Sequence, residues 1–128
     1  MAINLRAHHT SFPVRDLERS RRFYEGILGM RQKSRPDFGF PGVWYESGDC
    51  EVHLIQTSPA IDVGAPPPAL NPMARHEAFG IDDYNETLRH LKNNGIEVLE
   101  TSPEQGQMWI RDPDGHIIEL IVDRRTRS

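Results

Sequence analysis

Cysteine is almost absent from this chain. Cys50 stands alone, so no internal disulfide can form, and a single thiol fits a reducing compartment. Long apolar runs are missing too. Uninterrupted runs reach only a few residues, as at Ile117-Ile118, too short to cross a bilayer. The N-terminal stretch MAINLRAHHT lacks the apolar core of a secretory signal, and a cytoplasmic protein without a membrane partner is expected. There is no basic excess: the formal net charge of -4 weighs against nucleic acid, which needs a concentrated basic face. The one basic cluster, Arg124-Arg125-Thr126-Arg127, reads as a solvated tail over residues 124–128. What is present describes an ordinary globular domain: 128 residues, 37% hydrophobic and 27% charged.

The chain repeats itself. HTSFPVRDLERSRRFYEGILGM from His9 lies over HEAFGIDDYNETLRHLKNNGIEV from His76, matching His with His, Phe12 with Phe79 and Asp16 with Asp83 at an offset of 67. Farther on, Trp44 meets Trp109 and His53 meets Glu119, at offsets of 65 and 66. Each half reads as strand, helix, then three more strands. The first strand alternates (His9 to Val14; His76 to Ile81). Asp16, and Asp82 or Asp83, stand where a helix N-cap is wanted. Leu17, Tyr24, Ile27 and Leu28 form an apolar stripe on the first helix, and Tyr84, Leu88 and Leu91 on the second. Gly29 and Gly95 are placed to stop them. The last two strands of each half join through Ser47-Gly48-Asp49 and Asp112-Pro113-Asp114-Gly115. The expected organisation is a single domain over 1–128. It comprises a first module at 1–57, a proline-rich connector at 58–74, a second module at 75–123 and the tail.

Strand alternation then sorts the faces. Thr10, Phe12 and Val14 can pack on the first helix, leaving His9, Ser11 and Pro13 opposite; Phe79 and Ile81 likewise leave His76, Ala78 and Gly80. In the closing strands Val52 and Leu54, then Ile118, Leu120 and Val122, make the apolar face. His53 and Glu119 look the other way. Glu119 is the least ordinary of these, because a carboxylate in a strand apolar on both sides is costly to bury unless paired or metal-bound. His9, His76 and Glu119 therefore form a candidate divalent-metal set suited to Zn, Ni, Mn, Co or Fe(II), with His53 as a fourth donor. A lone strand histidine is otherwise an ordinary core or surface residue. The argument for a site is that four repeat-related positions each carry a donor.

The pattern His9, Asp16-Leu17-Glu18-Arg19-Ser20, Phe23-Tyr24, Leu28-Gly29, His76 and Asp112 through Leu120 (DPDGHIIEL) resembles the vicinal oxygen chelate superfamily over nearly the whole chain. That group includes glyoxalase I, bleomycin-resistance proteins, extradiol dioxygenases, fosfomycin-modifying enzymes and methylmalonyl-CoA epimerase. The resemblance implies an α+β fold of two βαβββ modules related by a pseudo-two-fold, with curved mixed sheets around a metal cleft. It implies metal ligands at His9, His76 and Glu119, a variable fourth position at His53, and a homodimer whose site lies within one chain or is shared between two.

The resemblance further implies a small-molecule substrate that chelates the metal through two neighbouring oxygens. His53 serves there as fourth ligand or as general base, since an imidazole suits proton transfer near neutrality. Glyoxalase I enzymes resemble this chain at the three ligands but generally carry a carboxylate where His53 stands, an arginine at Pro13 and an asparagine at Thr57. Those departures argue against glutathione hemithioacetal itself. The expected activity is a glyoxalase-like lyase or isomerase. The alternatives are an Fe(II) extradiol-type dioxygenase and a non-catalytic drug-binding dimer of the bleomycin-resistance kind. Trp44, Trp109, Phe38 and Phe40 are candidates for an apolar substrate pocket or for core, and Arg35 or Arg75 for holding a carboxylate. The segment from Arg35 to Gly42 reads as a loop near the cleft. His8, His90 and His116 read as structural or exposed.

Overall fold

The computed structural model describes residues 1–125; the last three positions of the basic tail lie outside the described residues. The chain divides into two compact units, Met1–Gly64 and the part from Ala65 onward, each holding one repeat. In the first, β1 (His9–Val14) leads to α1 (Leu17–Arg21), which continues as a π-helical segment over Arg22–Ile27. β2 (Arg31–Lys33), β3 (Gly42–Ser47) and β4 (Cys50–Gln56) follow. The second holds β5 (Glu77–Ile81), α2 (Tyr84–Asn93), β6 (Leu99–Glu100), β7 (Gln107–Arg111) and β8 (Ile117–Val122). The sheets run β1-β4-β3-β2 and β5-β8-β7-β6. In each, the first and last strands pair in parallel and the others antiparallel, since a helix separates the first strand from the rest and tight turns join the last two. The α+β architecture of two βαβββ modules is the one the sequence pattern implied. Among the described residues no helix is long and apolar enough to cross a membrane.

Local chemistry sets the element ends. Asp16 accepts a hydrogen bond from the Arg19 N–H (3.1 Å), and Asp83, not Asp82, accepts from Glu86 N–H (2.9 Å). Gly29 and Gly95 close the helices at φ of 72° and 73°. From Asp16 to Gly29 is 13 residues, against 12 from Asp83 to Gly95. The first unit absorbs the extra residue as its π turn, where Leu28 N–H reaches back five residues to the Phe23 carbonyl at 3.0 Å.

That wider turn corrects the expected stripe. Tyr24 is fully buried, but Ser20 and Phe23 are its buried companions, while Leu17, Ile27 and Leu28 are only half-buried. The second strand of the site also begins one residue later than expected, because the ladder to β8 starts at Glu77 opposite Ile118 and leaves His76 just ahead of it.

Core packing follows the alternation. Phe12, Val14, Val43, Tyr45, Val52 and Leu54 are buried, and the Tyr24 ring lies against Phe12 (5.8 Å) and Tyr45 (6.2 Å). In the second unit Met108, Ile110, Ile118 and Leu120 are buried with Tyr84 and Leu91 of α2. Truncating such a side chain to Ala costs about 2–5 kcal/mol. Two polar groups on the opposite faces, His53 and Glu119, are buried as well, each 7% exposed.

Candidate metal centre

Glu119 lies mid-way along β8, with Ala78 of β5 on one side and Trp109 of β7 on the other in the ladder. His76, just before β5, places its Nε2 2.9 Å from Glu119 Oε1. Its Nδ1 stands 2.8 Å from the Ala74 carbonyl oxygen, which can only accept, so Nδ1 carries the proton. In the neutral ring Nε2 is then a bare lone pair facing a carboxylate oxygen. Two acceptors at that distance require a cation between them, either a proton or a metal ion. Two ligand atoms bound to one divalent ion at ~2.1 Å each lie about 3 Å apart, so the pair fits as adjacent ligands. Gln107 donates from Nε2 to the other oxygen, Glu119 Oε2, at 3.2 Å, and so fixes the carboxylate plane. The Trp109 indole N–H is buried with no hydrogen-bond partner among the described residues, a donor left for an acceptor that a ligand would bring.

The first unit arranges its pair differently. His9 opens β1 and His53 lies in β4, and their rings stack in parallel at 4.1 Å and 14°. Trp44 of β3, opposite His53 in the ladder, covers the other side at 4.4 Å and 9°. His53 is thus clamped by rings on both faces and only its edge atoms are available. Nε2 lies 2.9 Å from Glu51 Oε1, an arrangement that puts the proton on Nε2 and leaves Nδ1 as the acceptor. Glu51 also pairs with Lys33. The hydrogen bond to His53, then that to Lys33, holds the Glu51 carboxyl down at about 2. Burial, followed by the neighbouring imidazoles of His53 and His8, holds His9 below its ordinary 6.5. His8 lies beside it, Nδ1 to Nδ1 at 2.7 Å.

The four expected ligands therefore occur as two pairs, one in each unit. Among the described residues no group of three or more His, Cys, Asp or Glu is gathered that could hold a metal ion. Of the remaining candidates, Trp109 is buried, Trp44 is half-buried, and Phe38 and Arg35 lie in the loop before β3. Arg75 is exposed and pairs with Glu77 (3.2 Å). The orienting residues Glu51 and Gln107 were not singled out from sequence. Each sits two positions before a candidate residue, His53 or Trp109, and strand alternation places it on the same face.

The sequence model of the Glyoxalase/Bleomycin resistance protein/Dioxygenase superfamily matches residues 6–120. The chain belongs to that superfamily. It is 30% identical over 130 residues to a lactoylglutathione lyase of Haemophilus influenzae, covering 94% of both chains. Its fold matches a glyoxalase/dioxygenase from Nostoc punctiforme with a TM-score of 0.76 at 22% identity, covering 94% of this chain and 92% of that one. It also matches TnmS3, an antibiotic binding protein from Streptomyces sp. CB03234, with a TM-score of 0.70 at 25% identity, over 95% and 98% of the two chains. Within the superfamily, then, this member is similar both to proteins named as enzymes and to one named as a binder.

Proposed function

We propose that this superfamily member is a divalent-metal-dependent lyase or isomerase of the glyoxalase type, working as a homodimer on a small substrate with two neighbouring oxygens. The observation that carries the reading is the His76–Glu119 pair, preset at 2.9 Å with the histidine tautomer fixed by the Ala74 carbonyl. A divalent ion would take the place of the proton that these two facing acceptors otherwise share. His9 is the third donor of the proposed set, and His53 is the base. When bound, the ion supplies Lewis acidity that polarises the substrate oxygens.

The rest is done by the chain. Gln107 holds the Glu119 carboxylate in plane. Glu51 keeps the His53 proton on Nε2, so that His53 Nδ1 can take a proton from the substrate carbon and return it to the neighbouring carbon. Trp44 and His9 restrict the ring to that orientation. Pro13 and Thr57, where glyoxalase I enzymes carry arginine and asparagine, point to a substrate other than glutathione hemithioacetal. Binding without turnover, as suggested by the antibiotic binding protein among the structural relatives, is the second reading.

Metal analysis of protein purified without chelator or added metal separates the two. About one ion per chain, lost in His76→Ala and Glu119→Ala, is the expected result. Protein that takes up no ion even after reconstitution with Zn, Ni, Mn, Co or Fe(II) would leave the binder. In the loaded protein His53→Ala should retain the metal and lose turnover, tested on small 2-hydroxycarbonyl compounds that carry two neighbouring oxygens. Unchanged metal content together with unchanged turnover removes His53 from the mechanism.

A further inference from the structure

A row of rings leads away from His53 across the first unit. Trp44 aside, none of it is explained by the metal chemistry.

 Trp44 stacks on His53, and Phe38 meets the Trp44 ring at 5.9 Å and Phe40 at 5.8 Å. Phe38 and Phe40 are 51% and 45% exposed, so two of these rings present open faces. Arg35 lies over both, its guanidinium carbon 5.0 Å from the Phe38 centroid and 5.1 Å from that of Phe40. One donor, Nη2, is spent on the Phe40 carbonyl at 3.1 Å, and among the described residues Arg35 has no acidic partner.

The strand beneath leaves room for this arginine. A Cβ at Gly42 would stand 2.7 Å from the Leu54 carbonyl oxygen, a backbone contact that calls for glycine, and the Arg35 guanidinium lies in the space so left, its Nη2 2.9 Å from that Cβ position. The equivalent position in the second unit is Gln107, and the arrangement has no counterpart there. A cation held against π faces and free of a carboxylate is a receptor for an anion. Beside it, the exposed rings offer stacking area to a flat apolar group.

We propose that Arg35, Phe38, Phe40 and Trp44 form a subsite for an aromatic carboxylate, the ring lying on the phenyl faces and the carboxylate on the guanidinium. The subsite would select the non-reacting part of the substrate of the proposed metal enzyme. It rests on that reading only for what happens at His53, because binding here needs no metal.

The test is equilibrium binding to the full chain, stripped of metal, followed by chemical-shift changes in an assigned NMR spectrum. 2-Naphthoate is the probe. Cyclohexanecarboxylate keeps the charge without the π face, and 2-naphthol keeps the face with little charge. Naphthoate should bind at least roughly tenfold tighter than either control, with shifts centred on residues 35–44. Phe38→Ala should cost roughly tenfold, and Arg35→Gln should abolish the preference over naphthol. His76→Ala, which removes the metal pair, should bind the probe as the parent does. That separates failure of this subsite from failure of the metal reading. Equal affinity for all three compounds, or shifts centred elsewhere, overturns the proposal. So does a Phe38→Ala variant that changes the sedimentation mass but not the probe affinity, which would make the rings an interface between copies of the chain.

Discussion

The two units have one topology and place chemistry at the same strand positions, yet they use them in opposite ways. In the second, the imidazole of His76 and the carboxylate of Glu119 meet edge to edge, with lone pairs converging at 2.9 Å. In the first, His9 and His53 meet face to face at 4.1 Å, a contact that shares π surface and aims no lone pairs at a common point. The cross-strand tryptophan differs in step: Trp44 stacks on the ring opposite, while Trp109, opposite a carboxylate, keeps a buried N–H without a partner. The orienting group also changes strands. Glu51 steadies His53 from its own strand, and Gln107 steadies Glu119 from the neighbouring one. A duplicated frame thus holds an imidazole and a carboxylate facing edge to edge in one half and, in the other, a clamped imidazole with an open Nδ1 edge.

The largest expected effect tests whether the frames are equal. Leu54→Ala in β4 and Leu120→Ala in β8 remove side chains that are 0% and 5% exposed at equivalent positions. Each should cost about 2–5 kcal/mol in urea unfolding. A loss in one unit several times that in the other would show that the repeat is equal in outline only.

Next comes the contrast between the orienting groups. Gln107→Ala should weaken metal affinity by roughly 10–100-fold, the usual effect of losing a group that positions a ligand. Glu51→Ala should leave metal affinity nearly unchanged if His53 is the base and not a ligand. Equal losses from both variants, read by competition with a chelating dye, would make His53 a ligand and bring the two halves closer in role.

The smallest effect is on acid stability. The hydrogen bond from Arg21, helped by that from the Tyr45 hydroxyl, holds Glu25 below the ordinary 4.5 despite the opposing effect of burial. A lowered carboxyl contributes stability that is complete above about 4.5 and is lost as the pH falls through its folded value. The second unit has Ile110 where Tyr45 stands and lacks this network. Glu25→Gln should therefore flatten the acid limb of stability against pH, measured by urea midpoints at successive pH values. An unaltered limb would assign acid sensitivity elsewhere.

Much of this was legible in the sequence because it depends on short-range physics. Alternation put Phe12, Val14, Val52 and Leu54 inside and His53 on the far face. Asp16 and Gly29, Asp83 and Gly95 bracketed the helices through capping chemistry and the left-handed backbone that glycine permits. The repeat supplied the order of strands. The sequence also carried the extra residue between Asp16 and Gly29, but a one-residue excess can leave a helix as a bulge, a frayed end or a longer loop. Packing of Phe23 and Tyr24 against the sheet chose the π turn. The ring geometry was decided in the same way. His9 and His53 stand diagonally on paired strands, two positions out of register, but whether imidazoles meet by face or by edge depends on Trp44 pressing from one side and Glu51 pulling on Nε2. His76 and Glu119 lie 43 positions apart. Their sharing of one cation follows from the Ala74 carbonyl fixing the tautomer, a contact that no spacing encodes. Sequence alone determined which residues lie on which face and which of them are candidates for chemistry. Tertiary structure decided which atoms of those residues point at one another, because that direction is set by neighbours brought together only by folding.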